Sequence, residues 1–157
     1  MKENKLVVKN VYRLLADPTK EALSNVDVFI EGNVIKKIVP TSTLPIEKDS
    51  KVIDASKLVM VPGLVNTHHH FYQTLTRNHP AVQNVELFDW LRFLYDVWKH
   101  LDADAIYYSS LLAMGELLKT GCTLTTDHHY IFPQGVEEDL IGLQFEAAEK
   151  LGIRFSP

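Results

Sequence analysis

A nearly continuous apolar run, Leu58-Val-Met-Val-Pro-Gly-Leu-Val-Asn-Thr67, is broken only by Pro62-Gly63 and ends in three consecutive histidines, His68, His69 and His70. A strand with one face in water alternates apolar and polar residues. This one does not, so it reads as a strand buried on both faces, as in the parallel sheets of α/β folds. Its polar residues gather at the carboxyl end. Successive side chains on a strand point to opposite faces, so His68 and His70 are expected on one face and His69 on the other.

Downstream, Leu87, Trp90, Leu91, Leu94 and Trp98 recur at three- and four-residue spacing and predict a helix over 85–100. Asp102 is an N-cap for the next helix, whose stripe Tyr107, Leu111, Met114, Leu118 runs to Thr120, with Gly121 as the C-terminal cap. Cys122 to Thr126 is β-rich and leads into Asp127-His128-His129. After a loop at Pro133 and Gly135, Val136, Leu140, Leu143, Ala147 and Leu151 mark a third helix, opened by Glu137-Glu138-Asp139 where negative charge is favourable. Ile153-Arg154-Phe155 begins another strand. Before Leu58 the chain reads as strands: Lys5 to Leu15, then Val26 to Ile30 and Val34 to Val39 around a Gly32-Asn33 hairpin turn, then Val52 to Asp54. The expected division is a small β module over residues 1–57 and the first two to three βα units over 58–157. Such alternation predicts parallel strands with right-handed crossovers. A doubly wound sheet and the start of a (β/α)8 barrel both satisfy it, and no GxGxxG or P-loop pattern follows a strand.

The formal net charge of −4 disfavours a nucleic-acid binder driven by a basic field. No apolar run approaches the ~18 residues of a membrane span, and the start lacks a signal-peptide core. A single cysteine, Cys122, excludes an internal disulfide, fits a reducing compartment and reads as a core thiol. The expectation is a soluble cytoplasmic protein that binds neither nucleic acid nor membrane.

Two imidazoles on one strand face can share a metal ion, and neutral imidazole suits zinc or iron(II). The bland alternative is a polar strand end or a tag-like histidine cluster. The carboxyl end of a barrel strand is where active sites are built, which favours ligation. Gln73 lies on the following loop and can hydrogen-bond a ligand carbonyl or ring nitrogen, or be a solvated glutamine. Trp90 can stack on a flat heterocycle, although an aromatic at helical spacing is more often core. His128 and His129 read as pocket-lining, surface or supporting residues.

Val61-Pro-Gly-Leu-Val-Asn-Thr-His-His-His70 closely resembles the first barrel strand of the amidohydrolase superfamily, and the β-rich residues before it resemble the small β-sandwich that flanks such barrels. Gly121-Cys-Thr-Leu-Thr-Thr-Asp127 resembles the second strand of the deaminase and chlorohydrolase branch. Phe71-Tyr-Gln-Thr-Leu-Thr-Arg77, Leu87-Phe-Asp-Trp-Leu91 and Asp127-His-His-Tyr-Ile-Phe-Pro133 look most like 8-oxoguanine deaminases and triazine hydrolases. The resemblance implies the amino-terminal part of a (β/α)8 TIM-like barrel preceded by a small β-sandwich, the barrel incomplete. It implies one divalent metal, zinc or alternatively iron, held in part by His68 and His70. Hydroxide formed on that metal would attack a ring carbon of a purine-like heterocycle such as 8-oxoguanine and release ammonia. Trp90 resembles the tryptophan that related deaminases bring over their substrate, and Gln73 and Trp90 are the candidate substrate-binding residues.

The family's later metal ligands and proton-transfer groups match no residue here, and His79, His100, His128 and His129 occupy no matching position. No catalytic proton-transfer residue is therefore assigned. A full barrel takes roughly 250 residues, so the chain reads as an amino-terminal fragment, inactive alone. It then needs the missing carboxyl-terminal barrel half or self-associates through exposed apolar strands. Other readings are a triazine-type chlorohydrolase or aminohydrolase, a guanine or S-adenosylhomocysteine-type deaminase, a non-enzymatic truncated remnant, and one half of a split enzyme.

Overall fold

β1 (Lys5–Leu14) is the spine of the amino-terminal sheet in the computed structural model, which describes residues 4–157. It pairs antiparallel with β2 (Leu23–Glu31) and parallel with both β4 (Lys51–Asp54) and β5 (Val59–Met60). β2 in turn pairs antiparallel with β3 (Val34–Pro40), completing a five-stranded mixed sheet. The β2–β3 turn is the hairpin expected at Gly32-Asn33; Gly32 takes φ 59°, which costs a residue without Cβ nothing. The register of β1 on β2 slips between Val8 and Val11. There the buried Asp27 accepts hydrogen bonds from Asn10 N (2.8 Å), Ser42 N (3.0 Å) and Thr41 Oγ1 (3.1 Å), tying the bulge to the turn after β3. Val11, Leu14, Val26, Val28 and Ala55 form the core. The start of the small module, residues 1–3, lies outside the described residues. Its end differs from expectation: Val59-Met60 pairs with Arg13-Leu14, so the compact units divide between Pro62 and Gly63, not after Lys57.

The second unit holds three parallel strands in sequential order, β6 (Leu64–Asn66), β7 (Cys122–Thr126) and β8 (Arg154–Ser156). Between β6 and β7 come two short 3-10 turns, α1 (Leu87–Trp98) and α2 (Ala103–Lys119); α3 (Leu140–Leu151) joins β7 to β8. This is the βα alternation of a (β/α)8 barrel. Ala113 and Met114 of α2 meet Ala147 and Ala148 of α3 over Phe71, Cys122 and Ile153. The helix ends follow their caps. Asp102 accepts from Ala105 N at 2.8 Å, and Gly152 closes α3 at φ 73°. α3 starts at Leu140 rather than Val136, because Asp139 is its N-cap and accepts from Gly142 N at 3.0 Å. Glu137 and Glu138 precede the helix.

A second correction concerns β6. Leu64 and Val65 are each 57% exposed rather than buried, because β7 flanks β6 on one side and no described strand flanks the other. No helix among the described residues is long and apolar enough to cross a membrane.

Candidate metal and substrate site

Gly63 sets how β6 lies on β7. A Cβ there would overlap the Thr123 side chain, so the glycine of Pro62-Gly63 permits the close approach. The β6–β7 ladder ends at Asn66, whose amide donates to Thr125 Oγ1 at 3.0 Å, and His68, His69 and His70 follow as irregular backbone. The His68 and His70 rings meet edge to face with centroids 5.0 Å apart. The ring of His128, just past the end of β7, has its centroid 4.4 Å from that of His68 and 5.7 Å from that of His70. His69 packs on Phe71 at 5.1 Å. Its separation from the pair is incomplete, since His69 and His70 both line one cleft. The ladder stops short of the histidines, so strict strand alternation does not extend through them.

The Nδ1 of His70 lies 2.9 Å from the His128 carbonyl. A carbonyl only accepts, so Nδ1 carries a proton, and in the neutral ring Nε2 then keeps its lone pair. Among the described residues, no group of three or more His, Cys, Asp or Glu is placed to hold a metal ion, so this pair stands as two donors.

Asp127 takes a role that periodicity and family motif do not assign it, although a carboxylate ending a β-rich run directly before two histidines is a usable signal. It is 4% exposed and accepts from Phe71 N at 2.8 Å and from Gln144 Nε2 at 2.6 Å. His129 Nδ1 stands 3.9 Å from Oδ2, the same oxygen that accepts from Gln144. Burial pushes the Asp127 carboxyl up, against the hydrogen bonds from Phe71 and Gln144. Burial also pushes His69 and His129 down, against the attraction of Asp127. Each group is driven toward its uncharged form. His69 Nδ1, His129 Nε2 and Gln144 Oε1 are buried and find no partner among the described residues.

The cleft beside the histidines has a volume of about 810 Å3, and Gln73, Arg77, Trp90 and Glu116 are among its lining residues. Gln73 is half-buried and donates to the Tyr130 hydroxyl at 3.1 Å. Arg77 makes a two-pronged ion pair with Glu116 at 3.1 and 2.5 Å. Trp90 combines both of its readings: it packs edge-on against the buried Trp98 at 5.4 Å and also lines the cleft. His79 is taken up locally, accepting from Ala81 N at 3.3 Å, and Cys122 is buried in the core.

Residues 59–156 match the amidohydrolase family. The chain belongs to the amidohydrolase family. Over 127 residues it is 44% identical to an 8-oxoguanine deaminase of Pseudomonas aeruginosa, covering 81% of this chain and 28% of that protein. Over 148 residues it is 35% identical to a hydroxydechloroatrazine ethylaminohydrolase of Pseudomonas sp. (strain ADP), covering 88% of this chain and 31% of the relative. Among solved structures, an atrazine chlorohydrolase of Arthrobacter aurescens complexed with zinc superposes with a TM-score of 0.84 at 27% identity, over 96% of this chain and 34% of the other. The chain thus spans about a third of the length of these amidohydrolases.

Proposed function

We propose that this chain supplies part of the active site of a metal-dependent aminohydrolase that deaminates a purine-like heterocycle such as 8-oxoguanine and releases ammonia. The observation that carries the reading is the His68–His70 pair, rings 5.0 Å apart past the end of β6, with the His70 Nδ1 committed to a backbone carbonyl. Two neutral imidazoles fit as two of the three protein ligands of a catalytic zinc, and they suit iron(II) as well. When bound, such an ion supplies Lewis acidity that makes a coordinated water nucleophilic near neutral pH. The chain's own residues hold and orient. Gln73 and Trp90 both line the cleft, where Gln73 would hydrogen-bond a ring carbonyl or nitrogen and Trp90 would stack on a flat ring. The cleft volume lies within the roughly 300–1,000 Å3 of small-molecule sites. The 44% identity to an 8-oxoguanine deaminase supports a purine-like ring over a triazine.

The test uses a zinc-loaded chimera in which this chain replaces the segment it aligns with in the P. aeruginosa deaminase. Ammonia release is measured from 8-oxoguanine, guanine and a hydroxylated triazine. Expected is turnover of 8-oxoguanine that is lost on His68→Ala or His70→Ala. Turnover of the triazine alone would overturn the substrate class. Activity that survives both substitutions would overturn the site.

A further inference from the structure

We infer that Asp127 is a positioning residue for His70: the end of β7 fixes where the His70 imidazole sits and which of its ring nitrogens is bare. Three hydrogen bonds join residues 69–71 to residues 127–128. His128 N donates to the His69 carbonyl at 2.8 Å, His70 Nδ1 donates to the His128 carbonyl at 2.9 Å, and Phe71 N donates to Asp127 Oδ1 at 2.8 Å. They hold the peptides on both sides of His70 and the ring itself. The third depends on Asp127, which is in turn held from α3 by Gln144, fully buried, at 2.6 Å.

The chemistry follows from what each group can do. Phe71 is 0% exposed, so without the carboxylate its N–H is a buried donor with no acceptor, a state that favours local rearrangement. Any shift of the 69–71 peptides draws His70 Nδ1 off the His128 carbonyl. A free imidazole then shares its proton between the two nitrogens, and the fraction with a bare Nε2 falls. Groups that orient a ligating histidine from behind typically change metal affinity about ten- to a hundredfold when removed. The metal half of this inference rests on the proposed aminohydrolase reading; the tautomer half does not.

The experiment pairs two readouts on the purified protein labelled with 15N-histidine. Long-range 1H–15N correlation spectra report the His70 tautomer without metal, and competition with a chromophoric chelator reports the zinc Kd. The wild type is expected to hold His70 as the Nδ1–H tautomer. Asp127→Ala should mix the tautomers and weaken zinc binding about ten- to a hundredfold. Asp127→Asn should rescue both, because its Oδ1 still serves Phe71 while the unpartnered Gln144 Oε1 can turn to accept from its amide. If Asp127→Ala does not fold, Gln144→Leu, which removes only the outer anchor, should shift the same two readouts in the same direction. A folded Asp127→Ala protein, or a Gln144→Leu protein, with an unchanged tautomer and an unchanged Kd would overturn the inference. So would an Asp127→Asn protein as impaired as Asp127→Ala, since charge rather than hydrogen bonding would then be at work. A wild type that binds no zinc, yet loses its Nδ1–H tautomer in Asp127→Ala, would refute the metal reading and leave the positioning role standing.

Discussion

Gly63→Ala tests the packing that brings β6, and with it the histidines, against β7. The added carbon would overlap the outer atoms of Thr123 and lie 2.8 Å from its Cβ. Thr123 is the residue left over where the ladder slips between the pairs Leu64–Cys122 and Val65–Leu124. Its Oγ1 accepts from Arg154 Nη2 at 3.0 Å and its carbonyl from Arg154 Nε at 3.3 Å, so the side chain cannot swing away freely. Relief must come from the backbone. Overpacking of this kind costs about 1–3 kcal/mol, and the smaller unfolded-state entropy of alanine offsets about 0.4–1 kcal/mol of it. A net loss of about 1–2 kcal/mol corresponds, at a urea slope of about 2 kcal/mol/M, to a midpoint lower by roughly 0.5–1 M. Trp90 and Trp98 are the chain's two tryptophans and both lie in the Gly63–Pro157 unit, so indole fluorescence follows that unit alone. In a Thr123→Gly background the same substitution should cost nothing. Equal losses in both backgrounds, within about 0.5 kcal/mol, would refute the clash.

Asp27→Ala should destabilise the amino-terminal unit by about 2–4 kcal/mol in urea unfolding followed by circular dichroism, because three donors lose a shared buried acceptor. Burial opposes ionisation of Asp27, but the Asn10 and Ser42 N–H groups and the Thr41 hydroxyl outweigh it and hold the carboxyl below its ordinary range. The stabilisation is therefore present above the unfolded value of about 3.8 and is lost as pH falls through the lower folded value; Asp27→Asn should abolish that acid dependence. The exposed edge formed by Leu64 and Val65 should make the protein self-associate, and Val65→Lys should lower the mass seen by light scattering. An unchanged mass would show that this edge is not the contact. The 157-residue chain on its own, supplied with zinc, should release no ammonia from 8-oxoguanine, because two imidazoles leave a catalytic zinc short of a third protein ligand. Measurable turnover would contradict that ligand count.

Local rules carried the elements that depend on local chemistry. Gly32 marks the hairpin because the turn needs positive φ, Asp102 marks the start of α2 through its carboxylate, and Gly152 marks the end of α3. Where a residue's partner is distant in sequence, periodicity was silent. Val59-Met60 looked like the start of the barrel strand, yet its hydrogen bonds go back to β1. Leu64 and Val65 carry the pattern of a doubly buried strand but stand at an edge, because neighbour number is a property of the sheet. The same limit applies at the site. His68 and His70 stood out as a pair through their spacing and the family resemblance, although the strand ends at Asn66 before it reaches them, whereas Asp127 acts through Phe71 and Gln144, residues 56 and 17 positions away. Val136 has helical spacing, but Asp139 caps Gly142 and so starts α3 four residues later.

X-ray absorption at the zinc edge, on the protein loaded with one equivalent of zinc, counts the imidazoles around the metal. Expected are imidazole nitrogens at about 2.0–2.1 Å, with one fewer imidazole in His68→Ala, one fewer in His70→Ala and two fewer in the double variant. A zinc spectrum that neither substitution changes would contradict the assignment of His68 and His70 as metal ligands.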